Sequence, residues 1–256
     1  MIKLAGHSKW SNIKHRKEKQ DKKKGKLFGK FSRKIISAAR RGGGDPEKNT
    51  ELRNIIERAH DHDMPKENIE RAIKKGTGDL PGVEYEDYVY EGYGPGGVAV
   101  IVEVTTDNKN RSIAEIRKIF DEHDGNVGER GCVSYLFEKK GYITVDQDQI
   151  DELELFELVV EAGAEDIDQN DSGYYEIFTS VENFSDVKSR LVEENIKTDV
   201  AGITRLPSTT VPVKNNRGEQ VLKLLEKLDD HQDVQEVYSN FEMDDRTLEK
   251  VEAVAN

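Results

Sequence analysis

The chain has 256 residues, a formal net charge of −12 and 35% hydrophobic residues, enough for several small cores under a heavily charged surface. A single cysteine, Cys132, excludes an intrachain disulfide and a cysteine-built zinc site. No window approaches the roughly 20 apolar residues of a membrane span, and no apolar signal or transit segment precedes the basic front, so a cytoplasmic protein without membrane contact is expected.

Charge is distributed unevenly. Residues 1–41 hold 15 Lys+Arg against two acids, Glu18 and Asp21. Residues 1–75 are net +12, and the remainder is net −24. A compact segment with that excess repels itself unless a polyanion lies against it, so the front is expected to bind nucleic acid. Residues 7–25 carry only Trp10 and Ile13 as large apolar side chains and read as a basic arm. From Lys26 the apolar residues Leu27, Phe28, Phe31, Ile35, Ala38 and Ala39 recur at helical spacing. Lys26, Lys30, Arg33, Lys34, Arg40 and Arg41 take the other faces of that helix.

Gly42-Gly43-Gly44 ends this helix, and Asp45-Pro46 is expected to open a second one (Leu52, Ile55, Ile56, Ala59). A third runs from Pro65, with Ile69, Ala72 and Ile73 inside and Gly76 as its stop. Gly76 to Gly82 reads as a linker. Beyond it the periodicity predicts strand Val98–Val104, helix Arg111–His123, strand Val133–Phe137, a turn at 139–141 and strand Tyr142–Val145. Next come a helix from Ile150 to Glu161 with Leu153, Phe156 and Val160, strands near Ile167 and at Tyr174–Thr179, and helix Phe184–Glu194. Strands Ala201–Leu206 and Thr209–Val213, helix Gly218–Leu228 and strand Val234–Tyr238 complete the order.

The middle elements spell βαββαβ, the ferredoxin-like unit. The expectation is an α+β protein: a basic helical domain with its arm (1–80), a discontinuous α/β domain (81–131 and 206–241), and a second ferredoxin-like α/β domain inserted at 132–205.

The candidate nucleic-acid contacts are Lys9, Trp10, Lys14, Arg16, Lys17, Lys26, Lys30, Arg33, Lys34, Arg40 and Arg41. The arm's Trp10 offers base stacking, with packing into the helical domain as the alternative. Lysine and arginine on a helix face with almost no Asn or Gln meet phosphates before base edges. The Glu91–Gly97 stretch resembles a phosphate-cradling loop only superficially. A strand rather than a helix follows it, and Pro95 removes a donor, so a shaped turn is expected. His60 to Asp63 read as a solvated helix end rather than metal ligands. Asp107 or Asn108 is expected to cap the helix that Arg111 opens, with a backbone-phosphate contact through Arg111 as the secondary reading. No nucleophile, base and orienter are placed together, so neither an enzyme nor a cofactor is expected.

Several long blocks together resemble the YebC/PmpR family, whose members are labelled "probable transcriptional regulators" and include mitochondrial translational activators. They are Gly6–His15, Met64–Gly76, Tyr90–Gly97, Thr106–Arg111 and Asp233–Asn240. Asp124-Gly125 and Cys132 depart from the family's usual Gly-Gly and Ser, at a turn and a packing position. The resemblance implies a helical N-terminal domain and two α/β domains. It further implies a DNA-binding transcriptional regulator or, alternatively, a ribosome-associated translation factor that meets RNA and relieves stalling. The partners expected are therefore DNA or RNA, with ribosomal or transcription-machinery protein meeting the acidic domains of a monomer.

Overall fold

The computed structural model describes residues 21–169, 173–214 and 216–243. The arm residues Lys9, Trp10, Lys14, Arg16 and Lys17 lie outside them. Compact packing divides the described chain into two units, one of residues 135–210 and one of the segments on either side of it.

In the larger unit, three helices come first: α1 (Asp21–Gly42), α2 (Thr50–Asp61) and α3 (Lys66–Thr77). The apolar stripe of α1 buries Phe31, Ile35, Ile36, Ala38 and Ala39 against Leu52 and Ala59 of α2 and Ile69 and Ala72 of α3. Asp45-Pro46 does not start α2. The N-cap is Asn49, whose Oδ1 accepts from the Leu52 amide at 3.0 Å. Its amide donates to the carbonyls of Ala38 (3.0 Å) and Gly43 (2.8 Å). One buried side chain thus finishes one helix and starts the next. Gly76 does not stop α3 either; the left-handed cap is Gly78, at φ 88°. Gly76 serves a close helix crossing, since a Cβ there would sit 2.6 Å from the Ile36 carbonyl oxygen.

The same unit contains a four-stranded sheet in the order β3-β1-β2-β9, antiparallel at every pairing. Its strands are β1 (Glu86–Gly94), β2 (Val98–Thr106), β3 (Asn126–Val127) and β9 (Val234–Ser239). Helices α4 (Lys109–Glu122) and α7 (Asn216–Asp229) cover one face, burying Ile116, Phe120, Val221, Leu224, Leu225 and Leu228 on the valines of β2. All residues from Val98 to Val102 are fully buried, as a strand covered on both faces requires.

Strand β1 was not expected; the stretch read as a turn is the end of a nine-residue strand, and only Pro95–Gly97 turn. Its charged residues hid it from a period-2 reading. Thr209–Val213 does not enter the main sheet. Its ordered part, β8 (Val211–Val213), pairs in parallel with β10 (Phe241–Met243).

The other unit holds β4 (Phe137–Asp146), α5 (Glu152–Glu161), β5 (Ala164–Gln169), β6 (Tyr174–Thr179), α6 (Phe184–Glu193) and β7 (Thr198–Pro207). The sheet order β5-β6-β4-β7, antiparallel throughout, is the ferredoxin-like arrangement. In the first sheet β1 stands where β6 stands here, although it comes first in its chain segment.

Three further expectations are corrected. Residues 134–136 form a 3-10 turn instead of a strand, and Lys139–Gly141 run unbroken inside β4. Gly141 marks close packing rather than a turn: a Cβ there would lie 2.1 Å from Thr179 Oγ1. The face of α5 is also reversed. The helix buries Leu155 and Val159, whereas Leu153, Phe156 and Val160 are exposed.

Candidate nucleic-acid interface

The cationic side of α1 does not stand open to water along its length. It meets carboxylates of its own unit, on α2, on and just before β1, at the end of α7 and in the turn that follows it. Lys26 Nζ pairs with Asp230 at 2.7 Å. Lys30, 8% exposed, donates to the Asp229 carbonyl at 3.0 Å and to its carboxylate at 3.1 Å. Arg33 Nε lies 3.8 Å from Asp233. Lys34 is half-buried, and burial pushes its ammonium pKa below the usual lysine value against the pull of Glu236, Glu103 and Asp87. Arg40 meets Glu84 at 2.5 Å, and Arg41 bridges Glu51 (2.6 Å) and Asp87. Arg58 of α2 adds Glu236 at 3.0 Å. The acidic body therefore neutralises much of the helix face that composition offered to phosphates.

Two of those carboxylates anchor larger networks. Asp87 accepts from Thr105 Oγ1 at 2.5 Å, from Ser37 Oγ at 3.0 Å and from Arg41. Asp233, 1% exposed, accepts from Arg111 at 2.7 Å, Ser112 Oγ at 2.8 Å and Thr106 Oγ1 at 3.1 Å. Burial pushes the Asp233 carboxyl up, but these donors outweigh it and hold the pKa below the ordinary aspartate value. Arg111 is thereby committed to Asp233 and Asp107, not to a phosphate, and Asn108 is the cap of α4.

Three cations without a carboxylate partner among the described residues lie on α3. Arg71, Lys74 and Lys75, at i, i+3 and i+4, are exposed, and none pairs with an acid among the described residues. Arg71 and Lys75 line a groove between α3 and α1, together with Asn68 and with Phe28, Gly29 and Ser32 of α1. The half-buried Phe28 ring gives the groove an apolar patch. An electropositive groove with amide and hydroxyl donors and one ring suits a phosphodiester backbone.

The initial set of candidate residues omitted these three cations. The available signal was the Met64–Gly76 block, whose lysines and arginine fall on the face opposite Ile69 and Ala72. Among the described residues, no group of three or more His, Cys, Asp or Glu side chains could hold a metal ion. No described helix is long and apolar enough to cross a membrane.

Comparison with known proteins fits this architecture. Residues 8–79 match the TACO1/YebC protein N-terminal domain, and residues 85–241 match the TACO1/YebC second and third domain. A "probable transcriptional regulatory protein" of Dictyoglomus turgidum is 53% identical over 249 residues, covering 97% of this chain and 100% of the relative. One of Persephonella marina, with the same name, is 54% identical over 249 residues at the same coverage. A crystal structure of a conserved hypothetical protein from Aquifex aeolicus is 47% identical, with a TM-score of 0.78 over 88% of this chain and 93% of that one.

Proposed function

This chain belongs to the TACO1/YebC family, and we propose that it is a nucleic-acid-binding, non-enzymatic regulator of transcription that grips the phosphate backbone through its helical part. The observation that carries the reading is the row Arg71, Lys74 and Lys75 beside the α1–α3 groove, cationic and without an acidic partner among the described residues, while the α1 cations are held by acids. The names of the curated relatives support the regulatory role. The arm, with Lys9, Trp10, Lys14, Arg16 and Lys17, extends the interface by charge and by a ring that can stack on a base. Lys26, Lys30, Arg33, Lys34, Arg40 and Arg41 join it by exchanging carboxylate partners for phosphates, which makes them the second layer of contact.

The test compares two variants on duplex DNA and on structured RNA across a salt series. Replacing Arg71, Lys74 and Lys75 with Gln is expected to weaken binding at least 10-fold. The slope of log K against log salt on duplex should flatten by about 2.7, at about 0.9 per lost phosphate contact. Unchanged affinity and slope would remove the α3 row from the interface. Preference for duplex DNA supports the transcriptional reading. RNase-sensitive co-sedimentation with ribosomes, without DNA affinity, would assign the protein to translation instead.

A further inference from the structure

We propose that the outer face of α5 is a docking site for a basic amphipathic segment of a partner protein. Helix α5 has two apolar rows. Leu155 and Val159, both 0% exposed, face the sheet of their unit, where they pack with Ile143, Ile177, Val187 and Leu191. Leu153, Phe156 and Val160, at i, i+3 and i+7, form the second row and are 72%, 50% and 43% exposed. A helix apolar on both sides normally buries both, and a single surface helix has no internal need for a leucine and a phenylalanine in water.

The charge beside this row selects the occupant. Glu154, Glu157 and Glu161 repeat the same spacing one residue further on, so an acidic row runs alongside the apolar one. None of the three pairs with a cation among the described residues. A second copy of the chain would bring two sets of glutamates face to face, which opposes self-association. Up to residue 25 the chain's own basic front carries Met1, Ile2, Leu4, Trp10 and Ile13 as its large apolar side chains, and no three of them stand at i, i+3 and i+7 to match the row. A Lys/Arg-rich helix with its own apolar stripe satisfies both rows, in the helix-in-groove manner.

The probe is a fluorescent 16-residue peptide with leucines at i, i+3, i+4 and i+7 and lysines elsewhere, titrated into the full-length chain. A matched peptide with glutamates for lysines is the control. The lysine peptide should bind at least 10-fold more tightly than its acidic counterpart. The Leu153→Ser/Phe156→Ser/Val160→Ser variant should lose at least 10-fold in affinity for it. Glu154→Gln/Glu157→Gln/Glu161→Gln should lose at least threefold and flatten the salt dependence. Both variants alter exposed side chains only and should keep the wild-type melting curve and nucleic-acid affinity. Equal peptide binding by wild type and the serine variant overturns the proposal. So does a wild-type dimer in sedimentation that the serine variant abolishes, which would make a second copy the occupant. Peptide binding that appears only after removal of residues 1–20 overturns it too, in favour of the chain's own front.

Discussion

Single carboxylates organise much of the larger unit. Glu91, 4% exposed on β1, accepts backbone N–H bonds from Gly131 (2.8 Å), Val133 (2.9 Å) and Ser134 (2.8 Å). Burial raises its pKa, but the three amides outweigh burial and hold it below the usual glutamate value. A depressed carboxylate pKa contributes stability that is present above the unfolded-state pKa and is lost as pH falls through the folded-state one. Glu91→Gln replaces an acceptor with a group that also presents donors to those amides, at a cost of about 1–3 kcal/mol at pH 7. Urea unfolding at pH 7 and at about pH 3.5 should show the gap between wild type and variant narrowing in acid. Asp233→Ala is the harsher change. It leaves the Arg111 guanidinium, Ser112 and Thr106 facing an empty position, and about 3 kcal/mol should be lost. The stability of Asp107→Ala is the control, since Asp107 is the more exposed of the two Arg111 partners.

Among the elements, the helical part depends on how closely α1, α2 and α3 approach. Asn49→Ala removes a cap and two bonds to carbonyls of the preceding turn, for a loss of about 2 kcal/mol. Gly76→Ala places a methyl where the Ile36 carbonyl and the Ala39 Cβ stand at 2.6 and 2.7 Å. Overpacking of that kind costs about 1–3 kcal/mol. The expected result is a lowered midpoint, with amide exchange accelerated in α1 and α3 before it changes in β2. Uniform acceleration across β2 as well would mean that the helices and the sheet unfold as one. Helix α5 is the contrasting case, with its second apolar row exposed to water instead of buried.

At the scale of the whole chain, the sequence divides into a basic front and an acidic remainder, and within the larger unit the α1 cations meet carboxylates. Surface ion pairs are worth roughly 0–1 kcal/mol each and are screened by salt, so the α1 cations are held by many weak contacts around the buried Lys30. Such contacts can yield to phosphates. Asp229→Asn/Asp230→Asn/Glu236→Gln should loosen α1, tighten nucleic-acid binding severalfold and steepen its salt slope as more cations reach phosphates. Binding that stays at the wild-type level would mean that the α1 cations take no part in the interface.

The order of most elements, the ferredoxin-like order of the middle segment and the polarity of the two halves were legible in the sequence. They depend on local periodicity and on charges that any fold must carry. The core row of α1 was visible for the same reason: Phe31, Ile35 and Ala38 can share only one side of a helix. Tertiary structure decided which carboxylates face that helix. Asp229 and Asp233 lie some 200 residues from Lys30 and Arg33 and meet them only when β9 docks beside β2. It also made a strand of Glu86–Gly94, where pairing with β2 outweighs the charges in the segment. In α5 it chose between two apolar rows of similar strength, a choice that no single-helix pattern contains. Periodicity states that a helix has a face to bury; only the partner surface determines which face that is.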